Sequence, residues 1–481
     1  MFFYTTATLA PTPLLIYYMS CSTKRFAIYT LGCKLNFSES SDISRRLCQL
    51  GFERVDVNDE ADIYIVNTCS VTEEANKKCR QMISRARRHN ANAFIAVTGC
   101  YAQLQSSALA LIPGVSLVLG NNQKHLLVEQ LSQLTLGESP ETQAANLVQN
   151  SATGSCQGAC LEQQKGGAAP IISGDILRDP TFVGSFSSGD RTRTFLKIQD
   201  GCDYFCSYCT IPFARGLSRS GSVEQTVALA HEAAALGAKE IVLTGVNIGD
   251  FGRKNGETFL QLVEALEQVD GVLRYRISSI EPNLLTDEII AHVAQSQKFM
   301  PHFHVPLQSG SDTMLGLMRR RYKTELYAQK VRTIKELMPH AFIGVDVIVG
   351  VNGETEALFQ ETVDFVSSVD VTQLHVFSYS ERPGTKALSL TPVVPIEERH
   401  KRNAILHQIS EQKRVAFYAA HQGTEAKVLV ESPSENGLYT GFTHNYIRVE
   451  LPATEADVNT EVSVKLGPLS EDTLSLLGTR I

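Results

Sequence analysis

The chain has 481 residues, 43% of them hydrophobic and 20% charged, with a mean hydropathy of −0.07. These values exclude a multi-span membrane protein and a disordered one, and the length calls for several domains rather than one core. A formal net charge of −7 and a pI near 6.0 mean that any nucleic-acid partner is held by local basic patches, not by overall charge.

Residues 1–23 form an expected disordered, non-functional extension. No basic residue precedes Lys24, Pro11 and Pro13 interrupt the apolar run, and Met19 is a candidate initiator. From 24 to 136, runs at Arg25–Thr30, Ile63–Val66, Phe94–Thr98 and Val115–Leu119 alternate with helical patterns. They predict an α/β domain of Rossmann or flavodoxin type with a mostly parallel sheet. Residues 137–190 are rich in Gly, Ser, Ala and Gln and read as a flexible linker or insertion. Six strand-then-helix units follow in 191–417, with strands near Phe195–Gln199, Glu240–Thr244, Tyr275–Ser278, His302–Pro306, Phe342–Val349 and Gln373–Ser378. They predict a partial, TIM-like (β/α)6 barrel. Residues 418–481 alternate as short strands between Gly, Pro and Asn turns, as in a small antiparallel β-barrel of the kind that grips nucleic acid. Lying outside the larger barrel, it is expected to be separable from it.

Eleven cysteines, an odd number in clusters, point to metal or iron–sulfur ligation rather than disulfides. Cys202, Cys206 and Cys209 form a CxxxCxxC run just after the first barrel strand, at the end where such barrels keep their active sites. Three thiolates on one loop can each bind one iron of a cubane and leave the fourth iron open to a small chelator. The alternative is a structural zinc knuckle, but no fourth Cys or His follows nearby. Cys33, Cys69 and Cys100 each follow a predicted strand closely. The carboxyl ends of parallel strands open on one crevice, so these thiolates can converge as well. Taken singly, each reads equally as a small buried hydrophobe.

The CxxxCxxC run opening a six-unit barrel resembles the radical S-adenosylmethionine (SAM) superfamily. The whole order, with Gly245-Val246-Asn247-Ile248-Gly249, Ser278-Ser279-Ile280-Glu281-Pro282, Pro306-Leu307-Gln308-Ser309-Gly310-Ser311 and Tyr379-Ser380-Glu381-Arg382-Pro383-Gly384-Thr385, resembles the methylthiotransferase family. That family has an N-terminal three-cysteine domain, a radical SAM barrel and a C-terminal TRAM barrel. The departures are the 137–190 insertion and Val351-Asn352, where relatives usually carry Phe-Pro. The resemblance implies two oxygen-sensitive [4Fe–4S] clusters, on Cys202, Cys206 and Cys209 and on Cys33, Cys69 and Cys100. It also implies SAM bound near Tyr208, Gly245, Asn247, Ser279 and Gln308, with Tyr208 packed on the adenine. The first cluster would cleave SAM to a 5'-deoxyadenosyl radical, the second would deliver sulfur to C2 of a modified adenosine, and a second SAM would supply the methyl group.

Asn67 to Ala75 and Ala214 to Ser220 look most like the branch acting on N6-threonylcarbamoyladenosine at position 37 of tRNA. Its carboxylate suits an arginine clamp, for which Arg215 and Arg219 are candidates; the alternative for both is a phosphate contact or surface charge. Other readings are a methylthiotransferase for isopentenyladenosine-37 or for a ribosomal-protein aspartate, and, in another class, a non-catalytic RNA-binding iron–sulfur protein. Expected partners are the tRNA anticodon stem-loop and an electron donor such as flavodoxin or ferredoxin. The protein is expected to be a cytoplasmic monomer with no membrane association. Basic runs from Lys77 to His89 and at Arg319-Arg320-Arg321 with Lys323 suit RNA backbone, or are solvated helix faces. His302 and His304 share a strand face and read as polar barrel lining rather than a metal pair. Cys21, Cys48, Cys79, Cys156 and Cys160 read as bystanders.

Overall fold

The computed structural model describes residues 23–70, 72–134, 142–143, 160–162 (backbone only), 168–189, 192–434, 437–470 and 474–481. Residues 1–22 of the expected N-terminal extension and Cys156 lie outside them.

The N-terminal sheet contains β1 (Arg25–Thr30), β2 (Glu53–Arg54), β3 (Ile63–Thr68), β4 (Phe94–Gly99), β5 (Leu117–Leu119), β6 (Cys160–Glu162) and β7 (Ile171–Ser173). Their order is β2-β1-β3-β4-β5-β7-β6, parallel except for the β6–β7 pair. The first five strands follow flavodoxin-like order, and β3 and β4, buried on both faces, read as continuous apolar runs for that reason. Part of the stretch expected as a linker is therefore sheet: Ile171 and Ile172 are buried against β5, because two consecutive isoleucines extend the apolar sheet beyond β5. The short run was too isolated in its polar surroundings to read as a strand.

β8 (Ser185–Phe186), also from that stretch, begins the second sheet by pairing antiparallel with β9 (Arg193–Lys197). The pair β10 (Gln199–Asp200) and β11 (Arg219–Ser220) follows. Next come β12 (Glu240–Thr244), β13 (Arg274–Ile277), β14 (His302–His304), β15 (Phe342–Val349) and β16 (Gln373–Ser378). All six expected barrel strands are present, as sheets β13-β12-β9-β8 and β14-β15-β16. Single bridges Tyr275–Phe299 and Ser279–His304 join them into a partial barrel around one apolar core.

β17 (Glu425–Pro433), β18 (Tyr439–Thr443), β19 (Arg448–Leu451), β20 (Glu461–Leu469) and β21 (Leu476–Arg480) close a small barrel. It is not a separable appendage. Arg274, fully buried, donates to Glu461 (2.5 Å) and to the carbonyls of Phe442 (2.8 Å) and Lys427 (3.2 Å). Arg276 donates to the carbonyls of His444 and Thr443, and the Tyr446 ring stacks on His302. Alternating arginines on β13 thus plug the small barrel onto the amino end of the large one, which patterning alone could not reveal.

The domain interface is polar. Helix α1 (Lys34–Gln49) puts Leu35, Ile43 and Leu47 inward and also buries Asn36, Ser38, Glu39, Ser40, Ser41 and Ser44. Ser38 meets Ser185 (3.1 Å), and Ser41 accepts from the Ser188 amide (3.0 Å).

Candidate active site

Cys33, Cys69 and Cys100 stand just past the carboxyl ends of the neighbouring strands β1, β3 and β4. Two glycines let them approach. A side chain on Gly32 would place Cβ 3.0 Å from the Cys69 Sγ, and one on Gly99 would place it 2.4 Å from the Thr68 carbonyl. Both glycines also take φ near +100°. Asn36 ties the loops together by donating to the carbonyls of Leu31 (2.6 Å) and Thr68 (3.0 Å). Burial pushes the Cys100 thiol up to about 11, Arg215 opposes this, and Cys33 and Cys69 add to it. Cys33 is exposed, while the other two are buried.

Cys202, Cys206 and Cys209 share the loop after β10. Its backbone is pinned by Cys202 N–H to the Gly216 carbonyl (3.0 Å) and by Ser207 N–H to the Met318 carbonyl (3.1 Å). Burial pushes Cys202 and Cys209 up to about 12. Arg320 donates to the Cys206 Sγ at 3.1 Å and pairs with Glu281. Of the basic run, Arg320 is therefore not an RNA contact: its side chain is 4% exposed, whereas Arg319, Arg321 and Lys323 are exposed. Arg321 also donates to the Asp203 carbonyl (2.8 Å). Both thiol sets fit a cluster: the thiols of Cys100, Cys202 and Cys209, pushed up by burial, ionise only against a cation, which iron supplies. Among the described residues no three His, Cys, Asp or Glu side chains converge on a single metal ion, nor need they where each iron takes one thiolate.

The arginines expected as a substrate clamp are spent inside the protein instead, and Arg215 joins the barrel to the N-terminal domain. Arg215, 1% exposed, donates to Asp200 (2.9 Å), Glu39 (3.2 and 3.3 Å) and Asn36 (2.7 Å). Arg219 donates to the carbonyls of Thr181 (2.6 Å) and Leu217 (3.2 Å) and faces Asp200 at 3.5 Å. Lys124 and Lys197 also pair with Glu39, at 2.6 and 2.8 Å. Burial alone would raise the Glu39 carboxyl, but Arg215, Lys124 and Lys197 hold it well below its usual range. Asp200 is depressed in the same way. Four cations thus face two carboxylates beside Cys33 and Cys100, an excess suited to an anionic cluster.

Of the residues expected around SAM, Gly245 and Asn247 follow β12, where Gln199 accepts from the amides of Val246 and Asn247 (2.9 Å each). Ser279 meets His304 Nδ1 at 3.0 Å, and His304 Nε2 meets Asp346 at 2.8 Å. The side-chain oxygens of Asn247 and Gln308 are buried without a partner among the described residues, as expected of groups awaiting a polar ligand. Tyr208 packs beside Met314, Met318 and Val351.

A cavity of about 420 Å³ runs between the domains. Its lining includes Cys33 and Lys34 from the N-terminal domain, Gly245 and Ser279 at the carboxyl ends of barrel strands, and Tyr446 from the small barrel. Lys34, Arg193 and Arg276 are its cations, and among the described residues no acidic side chain lines it. Sequence reasoning passed over these three and placed Arg320 in a run suited to RNA backbone. Only Lys34 carried a signal, its place beside Cys33.

A family model described as Uncharacterized protein family UPF0004 matches residues 25–120, and one described as Radical SAM superfamily matches 196–366. The chain is 36% identical to the threonylcarbamoyladenosine tRNA methylthiotransferase MtaB of Bacillus subtilis, over 92% of this chain and 93% of that protein. It is 35% identical to the MtaB of Aquifex aeolicus, over 89% and 96%. It is 30% identical to the tRNA-2-methylthio-N(6)-dimethylallyladenosine synthase of Clostridium novyi, over 86% and 87%. Among solved structures, the radical SAM methyltransferase TsrM from Kitasatospora setae matches with a TM-score of 0.54 at 16% identity, covering 74% of this chain and 73% of that one, a likeness of fold alone.

Proposed function

The chain belongs to the radical SAM methylthiotransferase family, and from that premise we propose that it inserts sulfur and a methyl group at C2 of N6-threonylcarbamoyladenosine-37 in tRNA. The observation that carries this reading is the cavity whose walls bear both Cys33 and the SAM-side residues Gly245 and Ser279. A base in that space would lie beside Cys33 and beside residues that the family resemblance places around SAM. Three cations and no acid suit a substrate arm ending in a carboxylate, whereas an isopentenyl group would ask for apolar walls.

Cys202, Cys206 and Cys209 would hold one [4Fe–4S] cluster with SAM on its open iron, near Tyr208, Gly245, Asn247, Ser279 and Gln308; Cys33, Cys69 and Cys100 would hold the other. Bound there, these groups supply radical hydrogen abstraction, sulfur and the methyl group. The protein's own residues orient and shield. Gln199 sets the backbone at Val246 and Asn247, Arg320 places charge against the Cys206 sulfur, and the Glu39–Arg215 network fixes the distance between the thiol sets. Asp346 and Ser279 orient the His304 ring at the cavity wall. The small barrel and the exposed basic residues Lys77, Lys78, Arg87 and Arg88 would hold the anticodon stem-loop backbone. The reading includes a flavodoxin- or ferredoxin-type electron donor and a cytoplasmic monomer; no helix among the described residues is long and apolar enough to cross a membrane.

The test is nucleoside mass spectrometry of tRNA treated with anaerobically reconstituted protein, SAM and a reductant. A 2-methylthio group on threonylcarbamoyladenosine is expected. A product on isopentenyladenosine alone, or on neither, would overturn the reading.

A further inference from the structure

Three cations line the cavity, and their commitments differ. Arg276 binds Glu240 through two nitrogens (2.7 and 3.1 Å) and gives its remaining donors to two carbonyls of the small barrel. Arg193 pairs with Glu431 at 2.7 Å and donates to the Tyr446 hydroxyl at 2.8 Å. Lys34 makes neither an ion pair nor a hydrogen bond among the described residues, although it lines the same space. It also opens the 16-residue helix α1, whose first turn has no acidic residue, so the amide pole of that helix adds to its charge. Asp346 acts on Lys34 only from beyond ion-pair distance, and a cation facing a cavity with no carboxylate in contact is a vacancy for an anion.

We propose that Lys34 binds the carboxylate of the threonylcarbamoyl group and is the residue by which this site selects its substrate. This rests on the reading of the protein as a threonylcarbamoyladenosine methylthiotransferase and transfers the carboxylate contact from Arg215 and Arg219, whose donors are spent within the protein. The adenine lies at the carboxyl ends of the barrel strands between the thiol sets. Its N6 arm enters the cavity, the Lys34 ammonium closes on the carboxylate, and Arg193 and Arg276 supply background positive potential. Lysine acts here as a mobile point charge rather than a planar fork, so arginine is a partial substitute and glutamine is none.

The experiment measures Kd, at fixed ionic strength, of the reconstituted holoenzyme for three anticodon stem-loop RNAs. They carry threonylcarbamoyladenosine, its carboxyl methyl ester, or plain adenosine at position 37. The wild type is expected to prefer the acid over the ester by about tenfold or more, the scale of one charge-assisted contact. Lys34→Gln should abolish that preference, Lys34→Arg should keep part of it, and affinity for the plain RNA and for SAM should not change. Equal weakening on all three RNAs would make Lys34 a phosphate contact, and weaker SAM binding would make it a SAM contact; either overturns the proposal. The acid-against-ester comparison on the wild type needs no variant, and the absence of a preference there overturns it too. If the wild type methylthiolates threonylcarbamoyladenosine while Lys34→Gln still discriminates, only this inference falls. If the wild type acts on a different nucleoside, the functional reading falls with it.

Discussion

Gly99 shows how little space the N-terminal thiols have. A β-carbon there would meet the Thr68 carbonyl at 2.4 Å and the Thr68 amide at 2.7 Å, on a backbone already at φ +101°. Those neighbours are main-chain atoms of an adjacent strand and cannot turn aside. Gly99→Ala is therefore expected to drive the ends of β3 and β4 apart, displace Cys69 and Cys100, and leave a protein with about half the wild-type iron, its barrel cluster intact. Anaerobic iron and sulfide analysis checks this, and a full complement of iron would contradict it. At Cys206 the guanidinium of Arg320 donates to sulfur. A hydrogen bond of this kind stabilises the reduced, more negative cluster. Arg320→Gln should lower the reduction potential of the barrel cluster, read by redox titration in a background where Cys33, Cys69 and Cys100 are alanine. An unchanged or raised potential would remove Arg320 from that role.

At the scale of elements, α1 carries one face of apolar side chains and another of buried polar ones, and Glu39 is the centre of the second. Lys124, Lys197 and Arg215 all converge on its carboxylate. Removing that charge leaves buried Lys124 without its carboxylate and Lys197 and Arg215 with Asp200 alone, so Glu39→Gln should cost about 3–5 kcal/mol, as breaking buried ion pairs does, seen as a lower urea midpoint. The pH dependence has a definite sign. Glu39 and Asp200 titrate below their unfolded values, so their contribution is fully present above the ordinary carboxylate range near pH 4 and is lost only as pH falls below it through the depressed values. For the metal-free protein, the midpoint difference between wild type and Glu39→Gln should hold from pH 7 to pH 5. A difference that disappears within that interval would show that the carboxylate is not held down in this way.

For the whole molecule, the small barrel matters as much for the large barrel's integrity as for RNA. Five hydrogen bonds run from Arg274 and Arg276 into it, and Tyr446 forms part of the cavity wall. Ending the chain after Ala420 would leave two buried guanidiniums without those acceptors, a loss on the order of 5 kcal/mol. SAM binding by the truncated protein should fall together with RNA binding, measured by calorimetry and gel shift on the same preparation. Intact SAM affinity in the truncated form would restore the picture of an independent RNA grip. Substitutions at the exposed Arg87 and Arg88 are better probes of RNA contact, since they leave that joint untouched.

What could be read from the order of residues was whatever depends on local spacing. The CxxxCxxC loop holds its three thiols within eight positions, so their place on one loop follows from chain length alone. Cys33, Cys69 and Cys100 were legible one step further on, because parallel strands of α/β sheets open on one edge and each cysteine follows a strand. The six barrel strands were legible from their apolar runs. Charge was not legible. Arg215 looks free beside its cluster loop, yet its partner Glu39 lies 176 residues away. Lys34 looks like one more surface lysine, yet it faces a cavity made by three domains. Whether a cation is spent or available depends on which carboxylate comes within about 4 Å, the reach of an ion pair, and that separation is set by the packing of distant segments. Composition and spacing thus determined the chemistry the chain can perform, and tertiary structure alone decided which of its positive charges remain open to a substrate.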